Sequence, residues 1–341
     1  MFVPMLDDDA RELTGPAVAH APKGRGPAFA AVSIVAISTV AATQLTRSAQ
    51  AGLHAPFFVM YVHIALATFC WPLGALVLRC TKGFDTVPCA LLAVAAAPCD
   101  VALMLPLWAA SNYNYVAALS FAPAGFVQTL FGTAPAIVVA LSRALLSEGM
   151  TLSRVLAVIM AFSGTAAVGS RGWSGSMAGG RLLVGGALAL VAVLAAAFYK
   201  VLFKFRLGEP PVSVVLGFVG TLGAAASCTG LPIALALGSS GLEDRWWSGS
   251  TDVRWGLIFA SAAVDVVYNT SVACGLALGS PALIALGVIL GIPANLTIDV
   301  LVNGSRVSPA EGVGAVLIIG SFAILALERS AASQSSTRRW A

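Results

Sequence analysis

Charged residues are scarce in this sequence. Only 10% of its 341 residues are Asp, Glu, Lys or Arg, whereas a soluble globular domain contains roughly 25%. Hydrophobic residues make up 58% of the chain, and the mean hydropathy is +0.90. So few charges do not suit a water-exposed surface, and the composition therefore indicates an integral membrane protein.

The sequence also lacks the short motifs of enzymes and metal sites. We find no phosphate-binding loop, nucleophile elbow or zinc motif, so we expect no enzymatic activity, metal or cofactor. The six cysteines show no metal-ligand spacing, and we interpret them as free packing residues. The net charge of +4 is spread over the loops and predicts no nucleic-acid partner.

Long apolar segments recur along the chain. A helix needs about 20 mostly apolar residues to cross a bilayer, and ten segments meet this length: 28–46, 55–79, 92–119, 124–143, 150–170, 181–203, 211–238, 255–277, 281–303 and 309–327. We therefore predict an all-α polytopic membrane protein with ten transmembrane helices. Residues 88–122 are too long for one span and barely long enough for two. We interpret them as one span from about Leu92, interrupted near Pro98-Cys99-Asp100 and kinked at Pro106.

Polar tails flank the ten segments. Residues 1–27 contain an acidic run at Asp7-Asp8-Asp9 and no apolar core with a cleavage site, which predicts a disordered tail and not a signal peptide. Residues 328–341 form a second polar tail. The predicted loops on the side of the termini carry thirteen Lys and Arg residues and the opposite loops carry six. The positive-inside rule therefore predicts that both termini are cytosolic. The sequence leaves open which membrane holds the protein.

The two halves of the chain share a weak internal repeat. Tyr113-Asn114 recurs as Tyr268-Asn269 after 155 residues, and Pro135-Ala136 recurs as Pro293-Ala294 after 158 residues. Each half, 28–170 and 181–327, has five predicted spans. Because five is an odd number, the halves would be inverted repeats, with a site near the midplane where they meet. The alternative is that these short matches arise by chance in a chain rich in Ala, Gly and Leu.

Span eight contains a carboxylate at its centre. Asp265, Tyr268 and Asn269 are spaced so that they share one helix face. A carboxylate at the bilayer centre costs at least about 2.5 kcal/mol, so it should face the bundle interior and is a candidate substrate-binding group. The alternative is an Asp that fixes packing through a hydrogen bond to a neighbouring helix.

Span nine contains the polar stretch GIPANLTID, residues 291–299. Pro293 removes a backbone donor and Gly291 allows close helix approach, so we predict a broken helix that lines a watered cavity. Asn295 and Asp299 are four residues apart, share a face and are candidate binding residues. Asp299 lies within about a turn of the outer boundary, which leaves simple solvation as an alternative.

Spans three and four add aromatic and amide groups. Trp108, Asn112 and Tyr115 suit an organic cation, because aromatic faces attract cations. The alternative is an interfacial aromatic belt. Gln128 in span four is a further candidate for the lining of the cavity.

Three basic residues follow at the end of span six. We expect Lys200, Lys204 and Arg206 to extend to the lipid headgroups, with a substrate role for Lys200 as the less favoured alternative. A lone His63 in span two is interpreted as a packing or hydrogen-bonding residue.

The second half of the sequence resembles a known family. The runs AFYKVLFK (197–204) and VYNTSVACGLALGSPALIALGVILGIPAN (267–295) resemble solute carrier family 35, subfamily F, especially its thiamine-transporter-like members. These belong to the EamA-like drug/metabolite transporter superfamily. The resemblance covers roughly residues 105–327 and implies ten helices built as two inverted five-helix repeats.

These observations favour a secondary transporter. We expect it to move a small organic cation such as thiamine by alternating access around a central cavity. A nucleotide-sugar or other metabolite transporter of the same fold is one alternative, and a non-transporting structural subunit of the membrane is another. The expected partners are the lipid bilayer and a small-molecule substrate. A homodimer is left open.

Overall fold

A computed structural model describes residues 25–50, 52–82, 98–122, 124–146, 151–173, 180–248, 253–303 and 307–338. Every regular element within these ranges is a helix. Residues 1–24 of the predicted tail 1–27 lie outside the described residues, as does Leu92, where the third span was predicted to begin.

Thirteen α-helices and one short 3₁₀ helix make up the described part of the chain. They are α1 (Arg25–Gln50), α2 (Pro56–Leu66), the 3₁₀ helix Ala67–Phe69, α3 (Cys70–Lys82), α4 (Pro98–Phe121), α5 (Ala124–Phe131), α6 (Ala134–Leu146), α7 (Leu152–Trp173), α8 (Gly180–Leu207), α9 (Val212–Ser240), α10 (Trp255–Leu278), α11 (Pro281–Ile289), α12 (Gly291–Asn303) and α13 (Pro309–Arg338).

Local sequence signals explain several of the helix ends. Helices α2, α11 and α13 begin at a proline, whose fixed φ and missing N–H suit the first turn. Before α13, Ser308 and Glu311 form a capping box. The Ser308 N–H donates to Glu311 Oε2 at 2.7 Å, and the Glu311 N–H donates to Ser308 Oγ at 3.2 Å. Helix α9 ends at Gly241, whose φ of 78° is the left-handed conformation that favours glycine.

Seven helical stretches in the described part of the chain are long and apolar enough to cross a membrane. They are Ala30–Gln50, Pro56–Leu76, Phe126–Leu146, Leu152–Gly169, Gly180–Leu207, Val212–Ser240 and Trp255–Leu278. Two shorter apolar helices follow at Pro281–Ala294 and Pro309–Leu325. The protein is therefore an integral multi-pass membrane protein. Helix α4 has 24 residues, which suffices in length, but its polar residues between Ser111 and Tyr115 lower its hydropathy.

Three of the predicted segments are divided in the structure. Segment 281–303 breaks at Leu290, directly before the predicted Gly291. Segment 124–143 breaks at Gly132-Thr133, and segment 55–79 changes to a 3₁₀ turn at 67–69. The sequence analysis did not predict these last two. The Pro98-Cys99-Asp100 stretch is the start of α4, and α4 continues as one helix across Pro106. Residues 92–97 of the predicted span lie outside the described residues, so the interruption near Pro98 stays a prediction.

Four helix pairings dominate the packing of the described residues. Helix α1 packs against α10, α4 against α8, α7 against α13, and α9 against α3. The broken segments lie beside these pairs: α5 and α6 contact α8, while α11 and α12 contact α1. The side chains between α1, α4, α8 and α10 enclose the site described next.

Candidate functional site

A cavity of about 100 Å³ lies between the two halves of the bundle. Side chains from α1, α4, α5, α8, α10, α11 and α12 surround it. The lining residues are Thr39, Ala42, Thr43, Trp108, Ser111, Asn112, Tyr115, Gln128, Phe131, Ala196, Tyr199, Lys200, Asp265, Tyr268, Asn269, Val272, Val288, Ile289, Gly291 and Ile292. The cavity is thus aromatic and amide-rich and contains one acidic and one basic side chain.

Most of the residues singled out from the sequence meet in this cavity. The structure brings together Trp108, Asn112, Tyr115, Gln128, Asp265, Tyr268, Asn269 and Gly291. Pro293 lies outside it, among the residues of an apolar surface groove. Asn295 and Asp299 belong to the backbone of α12, but their side chains lie outside the described residues. Their predicted binding role stays a prediction.

Asp265 is the acidic group of the cavity. It is 8% exposed, and its Oδ2 accepts a hydrogen bond from Asn269 Nδ2 at 2.8 Å. The same Nδ2 donates to the Asp265 carbonyl at 3.0 Å. Among the described residues no donor reaches Oδ1. This oxygen is available to a ligand in the cavity.

Trp108 connects this arrangement to the first half of the chain. Its Nε1–H donates to Asn269 Oδ1 at 2.9 Å, so the Asn269 amide joins the indole of α4 to the Asp265 carboxylate of α10. Because a primary amide has one acceptor and two donor hydrogens, the Trp108 contact fixes which end of the amide faces the carboxylate. The indole therefore orients the groups around Asp265.

Tyr115 forms a second polar contact across the cavity. Its hydroxyl lies 2.8 Å from Thr43 Oγ1 on α1, and Gln128 Nε2 approaches the same threonine at 3.5 Å. The Tyr115 ring meets the Phe131 ring edge-on at 5.2 Å between centroids. Trp108 and Tyr115 line an internal cavity, so the alternative of an interfacial aromatic belt does not describe them.

Lys200 corrects an expectation from the sequence. It does not reach the lipid headgroups, because its side chain is 4% exposed and lines the cavity. In the described part of the chain, neither a hydrogen bond nor an ion pair reaches its ammonium group. Helix α8 continues to Leu207, almost two turns beyond Lys200, which places Lys200 deeper in the bundle than the predicted span end suggested.

The two basic residues that follow Lys200 also have partners within the protein. Lys204 Nζ donates to Glu209 Oε1 at 3.1 Å and to the Leu276 carbonyl at 3.2 Å. Arg206 Nε pairs with Asp100 Oδ1 at 2.6 Å. The expectation that these two residues extend to the headgroups stays a prediction, and Lys200 differs from both in facing the cavity.

The lining residues of the two halves are separated by a constant interval. Eight lining residues of the first half each have a counterpart 157 positions later that also lines the cavity. The pairs are Thr39 and Ala196, Ala42 and Tyr199, Thr43 and Lys200, Trp108 and Asp265, Ser111 and Tyr268, Asn112 and Asn269, Tyr115 and Val272, and Phe131 and Val288.

One of these pairs is identical in residue type and in local contact. Asn112 Nδ2 donates to the Trp108 carbonyl at 2.8 Å, just as Asn269 Nδ2 donates to the carbonyl four residues before it. The sequence pairing of Tyr113-Asn114 with Tyr268-Asn269 is two residues out of this register. Tyr113 packs against Phe57 instead. The interval of 157 residues, and not that of the shared dipeptide, aligns the cavity-lining residues of α4 with those of α10.

The helix breaks at Leu290, and the polar stretch that follows in the ninth segment begins at the cavity. Gly291 lines the cavity, and a Cβ added to it would lie 3.3 Å from Thr39 Cγ2 and 3.4 Å from the Ala36 carbonyl. The missing side chain thus allows α12 to approach α1 closely. Pro293 has no N–H to donate to the carbonyl of Ile289, a lining residue, so a backbone acceptor remains beside the cavity.

Some lining residues were missed by the sequence analysis. Thr39 and Thr43 share a face of α1, and Tyr199 lies on the cavity side of α8 beside Lys200, for which a substrate role was the less favoured alternative. The spacing of four residues between the two threonines was a usable signal. His63 lies outside the cavity and is 2.8 Å from Ser261 Oγ, as expected for a hydrogen-bonding residue.

Comparisons with known proteins give relatives for the sequence and for the fold. Human solute carrier family 35 member F3 (Homo sapiens) is 29% identical over 225 residues, covering 63% of this chain and 49% of the relative. Mouse member F4 (Mus musculus) is 30% identical over 174 residues, covering 50% of this chain and 34% of the relative. This chain therefore spans about half the length of the curated F3 relative and about a third of the F4 relative. No protein-family model matches.

A solved crystal structure shares the fold. It aligns with a TM-score of 0.60 and 17% identity, covering 87% of this chain and 97% of the other. At this identity the likeness concerns the fold alone.

Proposed function

Because the chain belongs to subfamily F of solute carrier family 35, we propose that it is a secondary transporter that carries a small organic solute through the cavity between its two halves. The observation that carries the proposal is the buried carboxylate of Asp265, with one oxygen facing a cavity of aromatic and amide groups. An ionisable residue at membrane depth is a functional-site candidate by default.

A cationic group on the solute fits this carboxylate. The pair would combine charge attraction with the faces of Trp108, Tyr115 and Tyr268, which attract cations within about 6 Å of a ring centroid. Water is sparse in such a site, so these attractions are stronger than in bulk solvent. The Asn112 and Gln128 amides offer donors and acceptors for the neutral part of the solute. Thiamine has a cationic thiazolium ring and a neutral aminopyrimidine ring and is the substrate that we propose.

We further propose the architecture of ten spans in two inverted repeats. Three observations support it. The lining residues recur after 157 positions, and the helix breaks at Gly132 and Leu290 recur after 158. In the proposed repeat, α1 corresponds to α8 and α4 corresponds to α10. The packing of α1 on α10 therefore has its counterpart in the packing of α8 on α4.

The same architecture suggests how access alternates. The cavity lies where the two halves meet, so rocking one half against the other would open it to either side. The breaks in the fourth and ninth segments offer places where the backbone can bend without breaking a continuous ladder of hydrogen bonds. Both termini would lie in the cytosol, and equal protection of an N-terminal and a C-terminal tag from external protease tests this orientation.

Uptake of labelled thiamine into proteoliposomes that contain only the purified protein tests the function. We expect saturable uptake by the wild type and its loss in Asp265→Asn, which keeps the size and the hydrogen-bonding shape of the side chain. Asp100→Asn is the matched control, because it removes a carboxylate from the surface ion pair with Arg206, where an exposed pair contributes at most about 1 kcal/mol. Unchanged uptake by Asp265→Asn would refute the cation site.

A second candidate is a transporter of an anionic metabolite such as a nucleotide sugar. Lys200 in the cavity is the observation that favours it. Exchange of a labelled nucleotide sugar in the same proteoliposomes, without thiamine uptake, would establish this candidate in place of the first. Uptake of either solute by the purified chain alone would exclude a purely structural role.

A further inference from the structure

The cavity holds two opposite charges that do not pair with each other. Asp265 and Lys200 both line it and are both buried. In the described part of the chain, the Asp265 carboxylate accepts a hydrogen bond from Asn269 and forms no ion pair. The Lys200 ammonium group there forms neither a hydrogen bond nor an ion pair. Two charged groups therefore face one enclosed space from α10 and α8, and each retains the capacity to bind a group of opposite charge.

A buried ammonium group without a partner is costly. Removing such a charge from water costs several kcal/mol unless another charge and hydrogen bonds replace the water. A purely cationic solute would neutralise Asp265 and leave Lys200 unpaired. It would also be repelled by Lys200, because like charges in a medium of low dielectric constant interact strongly. A simple cation therefore pairs with only one of the two charged groups of the cavity, the carboxylate of Asp265.

The two charged side chains have different neighbours among the lining residues. On α10, Tyr268 and Asn269 lie within one turn of Asp265, and Trp108 hydrogen-bonds to the Asn269 amide. On α8, Lys200 has Ala196 one turn before it and Tyr199 beside it. The acidic side chain thus lies among indole, phenol and amide groups, whereas the basic side chain has fewer polar neighbours on its own helix.

We propose that the solute is zwitterionic, with a cationic group bound at Asp265 and a carboxylate or phosphate group bound at Lys200. This proposal rests on the transport function proposed above and changes its substrate from a simple cation to a zwitterion, for which thiamine serves as the cationic reference. It also gives Lys200 a function in binding an anionic group. Lys204 and Arg206 do not have this function, because they pair with Glu209 and Asp100. The solute completes one charge pair with Asp265 and one with Lys200.

The test compares two matched pairs of probes. Thiamine and thiamine monophosphate share one cation and differ by a phosphate, while choline and betaine share a quaternary ammonium and differ by a carboxylate. Binding of all four to the purified full chain in lipid nanodiscs is measured by competition against a labelled probe. We expect the wild type to bind the zwitterion of at least one pair about tenfold more tightly than the cation, and the responding pair identifies phosphate or carboxylate.

Two lysine variants of one helix show whether Lys200 is responsible. In Lys200→Met the tenfold preference for the zwitterion should disappear, and the cation should bind as well as before or better because the repulsion is gone. Lys204→Met makes the same substitution one turn later, where the lysine pairs with Glu209, and should keep the preference. Thermal unfolding confirms that both variants are folded.

The outcomes separate this proposal from the one on which it rests. Binding and uptake of the cations without a zwitterion preference, or a preference that survives in Lys200→Met, would overturn the zwitterion proposal and leave the cation transporter intact. An unaltered preference in Lys200→Met would mean that a group other than Lys200 binds the anionic part of the solute. If folded wild type binds none of the four probes, both proposals fail for these solutes.

Discussion

Gly164 and Gly314 face each other at the crossing of α7 and α13. A Cβ added to Gly164 would lie 2.7 Å from the Gly314 carbonyl oxygen, and one added to Gly314 would lie 2.5 Å from the Gly164 carbonyl oxygen. Each glycine thus occupies the space that the side chain of the other would need. Close approach of backbones through small residues is a principal source of helix association in membranes.

Gly164→Ala should separate these helices and destabilise the protein. The added methyl group would also meet Ile318 Cγ1 and Leu317 Cβ at 3.0 Å, and overpacking of this kind typically costs about 1–3 kcal/mol. Thermal unfolding in detergent measures the loss. The matched control is Gly312→Ala on α13, where nothing lies within 4 Å of the added Cβ. Equal melting temperatures for both variants would contradict the close packing.

Trp108→Phe should weaken substrate binding without unfolding the protein. The variant keeps an aromatic ring but loses the N–H that donates to Asn269 Oδ1 at 2.9 Å. A hydrogen bond of about 0.5–1.5 kcal/mol corresponds to a roughly two- to tenfold higher KM for uptake. Trp71→Phe, at an exposed indole of α3, is the control and should leave KM unchanged. A wild-type KM in Trp108→Phe would show that the indole does not orient the site.

Ser261→Ala should destabilise the protein through His63. Ser261 Oγ lies 2.8 Å from His63 Nε2 and 2.8 Å from the Ile258 carbonyl oxygen. The variant removes the hydroxyl that pairs with a buried imidazole nitrogen, at a cost of about 1–3 kcal/mol. Ser321→Ala removes a buried serine that bonds only to its own helix and should cost less. Similar melting temperatures for the two variants would argue against the pairing.

Stability should depend on pH through Glu243 in the loop after α9. Its carboxylate accepts the N–H groups of Phe57 and Phe58, at 2.7 and 3.3 Å, at the start of α2. Burial raises the pKa of Glu243 above its ordinary value, although these two hydrogen bonds oppose the shift. The folded state therefore holds this proton more tightly than the unfolded state. Between the ordinary and the raised pKa, stability falls as pH rises.

Glu243→Gln isolates this pH dependence because glutamine does not titrate. Going from neutral pH down towards the ordinary carboxyl pKa of 4.5, the wild type should gain stability relative to the variant. Melting temperatures of both proteins across that range provide the measurement. A difference between them that is constant with pH would show that Glu243 has the same pKa in the folded and unfolded states.

Patterns within one helix were sufficient to predict part of the site. Asp265 and Asn269 share a helix face because they are four residues apart, and the cost of a carboxylate in lipid required that face to point inward. The break beside Gly291 followed from Gly and Pro in an apolar run. The same signal occurs in the run FGTAPA (131–136), where the helix breaks at Gly132-Thr133, and could have been used there.

Features that depend on other helices were not predictable in this way. The position of Lys200 within the bilayer depends on how far α8 extends and on what packs around it. Thr43 bonds to its own helix through the Thr39 carbonyl at 2.7 Å, as membrane threonines commonly do, and nothing local indicates its contact with Tyr115. The match of Tyr113-Asn114 with Tyr268-Asn269 has an interval of 155 residues, two fewer than the interval of 157 between the lining residues, and only the packed helices reveal the second interval.

Lining residues that are 157 positions apart mostly differ in residue type and in charge. Thr43 stands where the second half has Lys200, and Trp108 stands where it has Asp265. If the halves arose by duplication of an ancestral gene, the copies have diverged into different roles. Two copies of the first half would build a cavity without these charges, and two copies of the second would build one with twice as many. A cavity with one Asp and one Lys therefore requires one copy of each half.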